Sequence, residues 1–325
     1  MGIVRAYQSN DEIQVNALYT KVLSTKDNTS PALNLAEVPR HLAPVTYVYE
    51  DGNDIVGCSS LLPIEAYIHG KDENIGILTE IVVDDQYNVS KIKENLNKKM
   101  IEIAEEMDLK TLINIGRDEA QAESEVCFES HRKGEIYRFS KRNASGMIPW
   151  NEFWKKVKSD KATPLYEAWE LEEQEYPDDE LTHFIYKKRK WKKVHIKKHE
   201  THYQGRENKY QYLKLTYDGE VTGYAVINTR EKGKVREAYI TDILSIDHPE
   251  AWDMLIQALR MKLESYDVIE LCISPDKQVI NHLKKNGFKE SKSPVNLNII
   301  DLDESLRNIS MDEWWLLLGN TDTYH

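Results

Sequence analysis

The chain has 325 residues, enough for two domains that each bury a core. With 40% hydrophobic and 30% charged residues, no apolar run long enough to span a bilayer, and an N-terminus (MGIVRAYQSNDE) without a signal-peptide core, it reads as a cytoplasmic globular protein with no membrane contact. A net charge of -12 argues against a nucleic-acid footprint over the whole surface, and Cys58, Cys127 and Cys272 stand in unrelated contexts that suggest neither a disulfide framework nor a metal knuckle.

Residues 11–23 have helical spacing in Ile13, Ala17, Leu18 and Val22, and a Ser/Thr/Asn/Pro-rich loop follows over 24–34. Strands are predicted over 46–50 and 55–62, joined by Asp51-Gly52-Asn53-Asp54, a composition suited to a tight hairpin. Two further strands follow over 67–69 and 75–83, turning at Gly70. Residues 90–107 place Ile92, Leu96, Met100, Ile103 and Met107 on one helical face, and 112–115 is a short buried strand. A Trp-rich, charged connector spans 149–177, and 166–171 opens the next domain as a strand.

Residues 186–199 (YKKRKWKKVHIKKH) carry a dense run of Lys and Arg. This is either a phosphate or RNA contact, or the solvated face of a helix whose Phe184, Trp191 and Val194 pack inward. His195, His199 and His202 lie close in sequence, but the surrounding cations would repel a metal ion, so none is expected. A hairpin over 210–216 and 221–229 then leads to a central strand, 238–246, a helix, 249–266, and a buried strand, 268–273. The chain ends with a helix over 276–286 stopped by Gly287 and a returning strand, 297–302.

The two halves share an order. DGNDIVG (51–57) leads into LTEIVV (78–83), and DGEVTG (218–223) leads into ITDILSI (240–246), so that Thr79 and Glu80 match Thr241 and Asp242. A repeat of this size implies two domains of one fold, at 1–145 and 164–325, with 146–163 as connector.

The order of hairpin, central strand, long helix, strand, short helix, Gly-Phe and strand, with LKKNGFKE (283–290) at its end, resembles the GNAT N-acyltransferases. With WWLLLGNTD (314–322) near the C-terminus, it resembles a tandem branch associated with surface-polysaccharide biosynthesis. The resemblance implies an α/β fold of two GNAT-like domains, each a mixed, mostly antiparallel twisted sheet with flanking helices and a central splay. It further implies acetyl-CoA or CoA as acyl donor and a small-molecule amine as acceptor. The pantetheine arm would lie in the splay, and the pyrophosphate at the N-terminus of the following helix, where unpaired N–H groups and the helix dipole favour an anion. The implied cofactor contacts are Val82, Val83, Gln86, Ser90 and Lys91, with Glu80 as general base and no metal.

The chain departs from the family's glycine-rich phosphate turn. The first copy keeps Gln86 but loses both glycines, and the second has none, with Asp247 as expected N-cap, Pro249 near N1 and Glu250 in the first turn. The second copy is therefore read as structural. The tyrosine that protonates the departing thiolate in the family falls at Leu283 in the second copy, and Tyr137 lies near the corresponding region of the first. Two alternatives remain: a scaffold or binding module with degenerate clefts, and a Fem-type aminoacyl-tRNA-dependent transferase whose RNA contact would run from Lys187 to Lys198. The oligomeric state is not readable.

Overall fold

The computed structural model describes residues 2–23, 44–78, 81–116, 132–142, 169–174, 177–189, 194–196, 210–274, 276–291 and 295–315. In chain order the elements of the first half are β1 (Ile3–Ala6), α1 (Glu12–Leu23), β2 (Val45–Asp51), β3 (Asp54–Ile68), β4 (Lys71–Leu78), β5 (Val82–Val83), α2 (Val89–Glu106) and β6 (Thr111–Gly116). Then come β7 (Arg132–Arg142), β8 (Trp169–Gln174), α3 (Asp179–Arg189), β9 (Val194–Ile196), β10 (Gln211–Tyr217), β11 (Glu220–Lys232) and β12 (Val235–Ser245). The last are α4 (Pro249–Lys262), β13 (Val268–Ile273), α5 (Lys277–Lys285), β14 (Lys289–Glu290), β15 (Val295–Asp301) and β16 (Trp314–Trp315). Among the described residues no helix is long and apolar enough to cross a membrane.

The chain divides into two compact units, the first built from Met1–Glu135 and Val295–Ser310, the second from Ile136–Pro294 and Met311–Asn320. In the first unit β1, β2, β3 and β4 pair antiparallel in sequence order, β4 pairs parallel with β6, and β6 pairs antiparallel with β15. The strand expected at 297–302 therefore forms, but within the first unit, where Ile299 faces Ile113 in register. The second unit repeats the pattern with β8, β10, β11 and β12 antiparallel, β12 parallel to β13, and β13 antiparallel to β7. In each unit this order includes a strand from a distant part of the sequence, β15 beside β6 and β7 beside β13.

Both faces of the first sheet are covered. Val15 and Leu18 of α1 pack with Val48, Ile55, Cys58 and Val82, while Ile92 and Leu96 of α2 pack with Tyr49, Val56 and Val83. The α2 face predicted from periodicity buries Ile92, Leu96, Met100 and Ile103 but leaves Met107, just past the helix, exposed. In the second unit α3 sets Leu181 and Phe184, and α4 sets Trp252, Leu255 and Leu259, into one core; the Phe184 ring meets Tyr224 edge-on at 6.3 Å.

Three sequence expectations change. Residues 55–62 and 67–69 belong to the single strand β3, because Pro63 lies within it opposite Gly76 without ending the pairing. The expected strand 75–83 divides into β4 and β5. The helix expected through the basic run stops at Arg189, and Val194 is buried in strand β9; Trp191 lies outside the described residues.

The repeat is sharper in three dimensions than in the sequence. Both opening hairpins carry an extra residue on their second strand: Tyr49 faces Gly57 while Glu50 faces Ile55, and Leu215 faces Gly223 while Thr216 faces Val221. Val56 and Thr222 are the bulged residues, each accepting an N–H through its carbonyl, from Asp84 and Ile246 respectively at 2.9 and 2.8 Å. Gly57 and Gly223 are equivalent and let the long helix approach the sheet. A Cβ on Gly57 would fall 2.7 Å from Ile92 Cγ2, and one on Gly223 would fall 3.2 Å from Leu255 Cδ2.

Candidate functional site

Among the described residues parallel pairing ends at the same point in both units. In the first, Gly76, Ile77 and Leu78 pair with Leu112, Ile113 and Asn114, and among the described residues the pairing of β4 with β6 goes no further. The chain continues as β5, which among the described residues pairs with β3 alone, Gly57 facing Val83 and Cys58 facing Val82. Since Leu61 faces Leu78, the β4–β5 side uses one more residue than β3 between Leu78 and Val82. In the second unit, β12 and β13 separate after Ile240 and Leu271, while β12 runs on to Ser245 against β11 with Thr241 as the extra residue. Two parallel strands that part while one keeps its other neighbour form a splay, whose inner backbone edge offers N–H and C=O groups to a ligand.

In the first unit the side chains of Val82 and Val83 are buried on opposite faces, against α1 and α2. Their contribution to a ligand is therefore confined to the backbone edge of β5. The turn beyond is organised by Asp84, whose carboxylate accepts from Lys21 Nζ at 2.7 Å and from the Gln86 N–H at 3.1 Å. The Lys21 contact, with the Gln86 N–H, holds the Asp84 carboxyl below its ordinary value. Asn88 caps α2, its side chain accepting the Lys91 N–H at 3.2 Å. Gln86, Ser90 and Lys91 are exposed around this turn, and the first turn of α2 holds no acid. The structure thus brings Val82, Val83, Gln86, Ser90 and Lys91 to one strand-to-helix turn. Glu80 and Thr79 lie outside the described residues.

The second unit is built otherwise. The turn before α4 is two residues shorter than that before α2 once Ser245 is matched to Val83. Its N-cap is His248 rather than the expected Asp247, with Pro249 next and no side-chain cap bond. Pro249 has no N–H to satisfy, which removes part of the need for a capping side chain. Glu250 is exposed in the first turn, so the charge there is unfavourable for an anion.

A C-terminal segment of the second unit packs beside the end of β13 and α4. Ser274, directly after β13, donates its hydroxyl to the Trp314 carbonyl at 2.8 Å, and the Trp315 ring lies 6.1 Å from that of Trp252 in the first turns of α4. Trp252, Trp314 and Trp315 are all fully buried. The pair Trp314-Trp315, which as β16 pairs in parallel with β9, therefore touches both the end of β13 and the first turns of α4. Thr241 and Asp242 are buried as well; the Thr241 hydroxyl donates to the Val226 carbonyl at 3.2 Å and the Asp242 carboxylate accepts the Ile243 N–H at 2.9 Å. Leu283 is core, and Tyr137 lies on β7 of the second unit facing Ile273, not in the first unit.

Sequence reasoning used the tryptophan pair only as a family mark and missed its packing. It also missed Lys214, buried on β10 and paired with Asp178 and with Glu172 at 3.0 Å and Glu180 at 3.6 Å. Asp178 also caps α3 through the Leu181 N–H at 2.7 Å. Burial works against its charge, but the Lys214, Leu181 and Gln174 bonds prevail and hold its carboxyl at about 2. Of the basic run, Lys187 is exposed at the end of α3 and Lys188 half-buried; most of the rest lies outside the described residues. Among the described residues no group of His, Cys, Asp and Glu could hold a metal.

Neither a family model nor a curated relative matches the chain. Solved structures do. A probable N-acyltransferase from Enterococcus faecalis V583 superimposes with a TM-score of 0.60 at 9% identity, over 93% of this chain and 73% of that one. A tandem GNAT protein from the clavulanic acid biosynthesis pathway gives 0.59 at 14% identity, over 93% and 98%. Saccharomyces cerevisiae N-myristoyltransferase with bound myristoyl-CoA gives 0.55 at 9%, over 92% and 79%. With its two splayed sheets, the chain has the fold of the GCN5-related N-acetyltransferases, shared with a tandem protein of that group.

Proposed function

We propose that the protein is an N-acyltransferase moving an acyl group, acetyl in the simplest case, from CoA to an amine of a small polar or sugar-nucleotide acceptor, as its resemblance to the polysaccharide-associated branch suggests. The observation that carries this reading is the first splay: β5 pairs with β3 alone among the described residues and leads into a helix whose first turn has exposed Ser90 and Lys91 and no acid. An unpaired strand edge suits the amides of a pantetheine arm, and a helix N-terminus beside a lysine suits a pyrophosphate. The residues present fit the donor without the family's glycines.

When bound, the donor supplies an activated acyl group as a thioester. The backbone of Val82 and Val83 would hold the arm in register, and Ser90 and Lys91 would hold the phosphates. Glu80 would take a proton from the acceptor ammonium, leaving a neutral amine to attack. Positioning then carries much of the rate, since alignment replaces a bimolecular encounter. The second unit, with Glu250 in the first turn of α4, is read as a structural partner that takes no donor.

Thermal unfolding with acetyl-CoA, CoA and buffer tests the reading. A ligand that binds only the folded protein stabilises it by about 2.7 kcal/mol at a hundredfold excess over its dissociation constant. A saturable shift, followed by thiol release with an amine acceptor, is expected; no shift at millimolar acetyl-CoA would reject the donor assignment.

A further inference from the structure

Lys21, in the last turn of α1, reaches the strand-to-helix turn of the first unit across 63 positions of sequence. Its Nζ donates to the Asp84 carboxylate at 2.7 Å; the Lys21 side chain is 46% exposed and that of Asp84 only 13%. α1 is itself seated on the splayed strand, since Val15 and Leu18 pack with Val82. The cation is therefore delivered by an element whose position the core already fixes.

Asp84 uses each of its polar groups. Its N–H donates to the Val56 carbonyl at 2.9 Å, its carbonyl accepts the Tyr87 N–H at 3.1 Å, and its carboxylate accepts the Gln86 N–H at 3.1 Å besides Lys21. One residue thus ties the bulge of β3, the turn and α1 together. Its charge is ill suited to the place, because a carboxylate beside an anion site repels the anion, and exposed Asp85 follows directly. Lys21 offsets the first of these two charges.

The fold does not require this ion pair. Ile246 is the equivalent of Asp84: its N–H donates to the Thr222 carbonyl, the bulge carbonyl of the second unit, at 2.8 Å, and its own carbonyl accepts the His248 N–H at 2.7 Å. There the same backbone bond forms under an aliphatic side chain that packs against the core. The acid and its cation stand in the unit whose following helix has no acid in its first turn, and the apolar residue in the unit whose helix carries Glu250.

We infer that Lys21 is a positioning residue for the donor. By holding and neutralising Asp84 it fixes the turn that presents Ser90 and Lys91, and it removes a charge that would repel a pyrophosphate there. This rests on the reading of the turn as the donor site, and it makes α1 part of donor recognition without contact between Lys21 and the donor.

Titration calorimetry with acetyl-CoA on the full chain, as wild type, Lys21→Met, Lys21→Arg and Lys21→Met/Asp84→Asn, tests it. Lys21→Met should bind at least about fivefold more weakly, because an uncompensated charge then lies close to the phosphates. Its melting temperature without ligand should change little, since a half-exposed ion pair contributes weakly to stability. Lys21→Arg should bind as the wild type does. The double variant should also recover wild-type affinity, because the amide still accepts the Gln86 N–H and carries no charge. No binding by the wild type would reject the donor reading and this inference with it. Binding by the wild type that Lys21→Met leaves unchanged would overturn the inference alone. A double variant as weak as Lys21→Met would overturn it as well, by showing that Lys21 does not act through the charge of Asp84.

Discussion

The two units apply one strand plan to opposite ends. Each has a bulged hairpin, a glycine under the long helix, and parallel strands that part after Leu78 and Asn114 or after Ile240 and Leu271. Beyond the parting they differ. In the first unit a longer turn, fixed by Asp84 and capped by Asn88, presents Ser90 and Lys91; in the second a shorter turn at His248-Pro249 carries Glu250, and a buried tryptophan pair packs against the end of β13 and α4. A shared fold therefore does not imply a shared site, and the difference lies in a few residues at the strand-to-helix turn and one segment near the C-terminus.

Truncating the buried tryptophan pair should have the largest effect on this contrast. Trp315→Ala deletes a fully buried indole packed on Trp252 and should destabilise the second unit by about 3–5 kcal/mol. Urea unfolding followed by tryptophan fluorescence should then show an earlier transition. A cycle with Trp252→Ala should reveal a coupling of about 0.5–1.5 kcal/mol, and its absence would mean that the rings do not support one another.

Next in size is Lys214→Met, which leaves Asp178, Glu172 and Glu180 without their cation and should cost about 1–3 kcal/mol. The pH dependence comes from Asp178. Its folded carboxyl, at about 2, lies below the ordinary 3.8, so its contribution is present above about pH 4 and is lost as pH falls toward 2. Chemical unfolding at pH 2–6 should show this acid limb in the wild type and a flatter one in Lys214→Met.

Smaller differences separate equivalent positions. Gly57→Ala pushes a methyl to 2.7 Å from Ile92 and should cost about 1–3 kcal/mol, whereas Gly223→Ala, whose nearest neighbours lie at 3.2 Å, should cost less. Equal losses would show that the second helix is as tightly seated as the first. Smaller again, Asn88→Ala should cost about 1 kcal/mol through loss of the Lys91 N–H cap, while His248→Ala should cost little because its side chain makes no cap bond. Melting temperatures of the two variants measure this directly.

Much of this plan was legible in the sequence because it depends on local chemistry. Alternating strands, the α2 face at Ile92, Leu96, Met100 and Ile103, the helix opening near Asp276 and the Gly287 stop all rest on residues a few positions apart. The repeat pointed to the matching hairpins: DGNDIVG and DGEVTG each run from a turn glycine, Gly52 or Gly219, to Gly57 or Gly223, and the pairing sets the two hairpins alike. The features that were not legible depend on long-range pairing. Nothing near residue 297 says that β15 will join β6, and nothing near Trp314 says that it will meet Ser274. The split between β4 and β5 was hidden because apolar residues stand on both sides of Thr79 and Glu80.

Titration calorimetry with acetyl-CoA on the wild type, Lys91→Glu and Glu250→Lys tests the central claim most directly. The account predicts one site per chain, weakened by Lys91→Glu through loss of the phosphate-binding cation and unchanged by Glu250→Lys, since the second unit takes no donor. Two sites, or one that responds to Glu250→Lys and ignores Lys91→Glu, would contradict the assignment of the donor to the first unit.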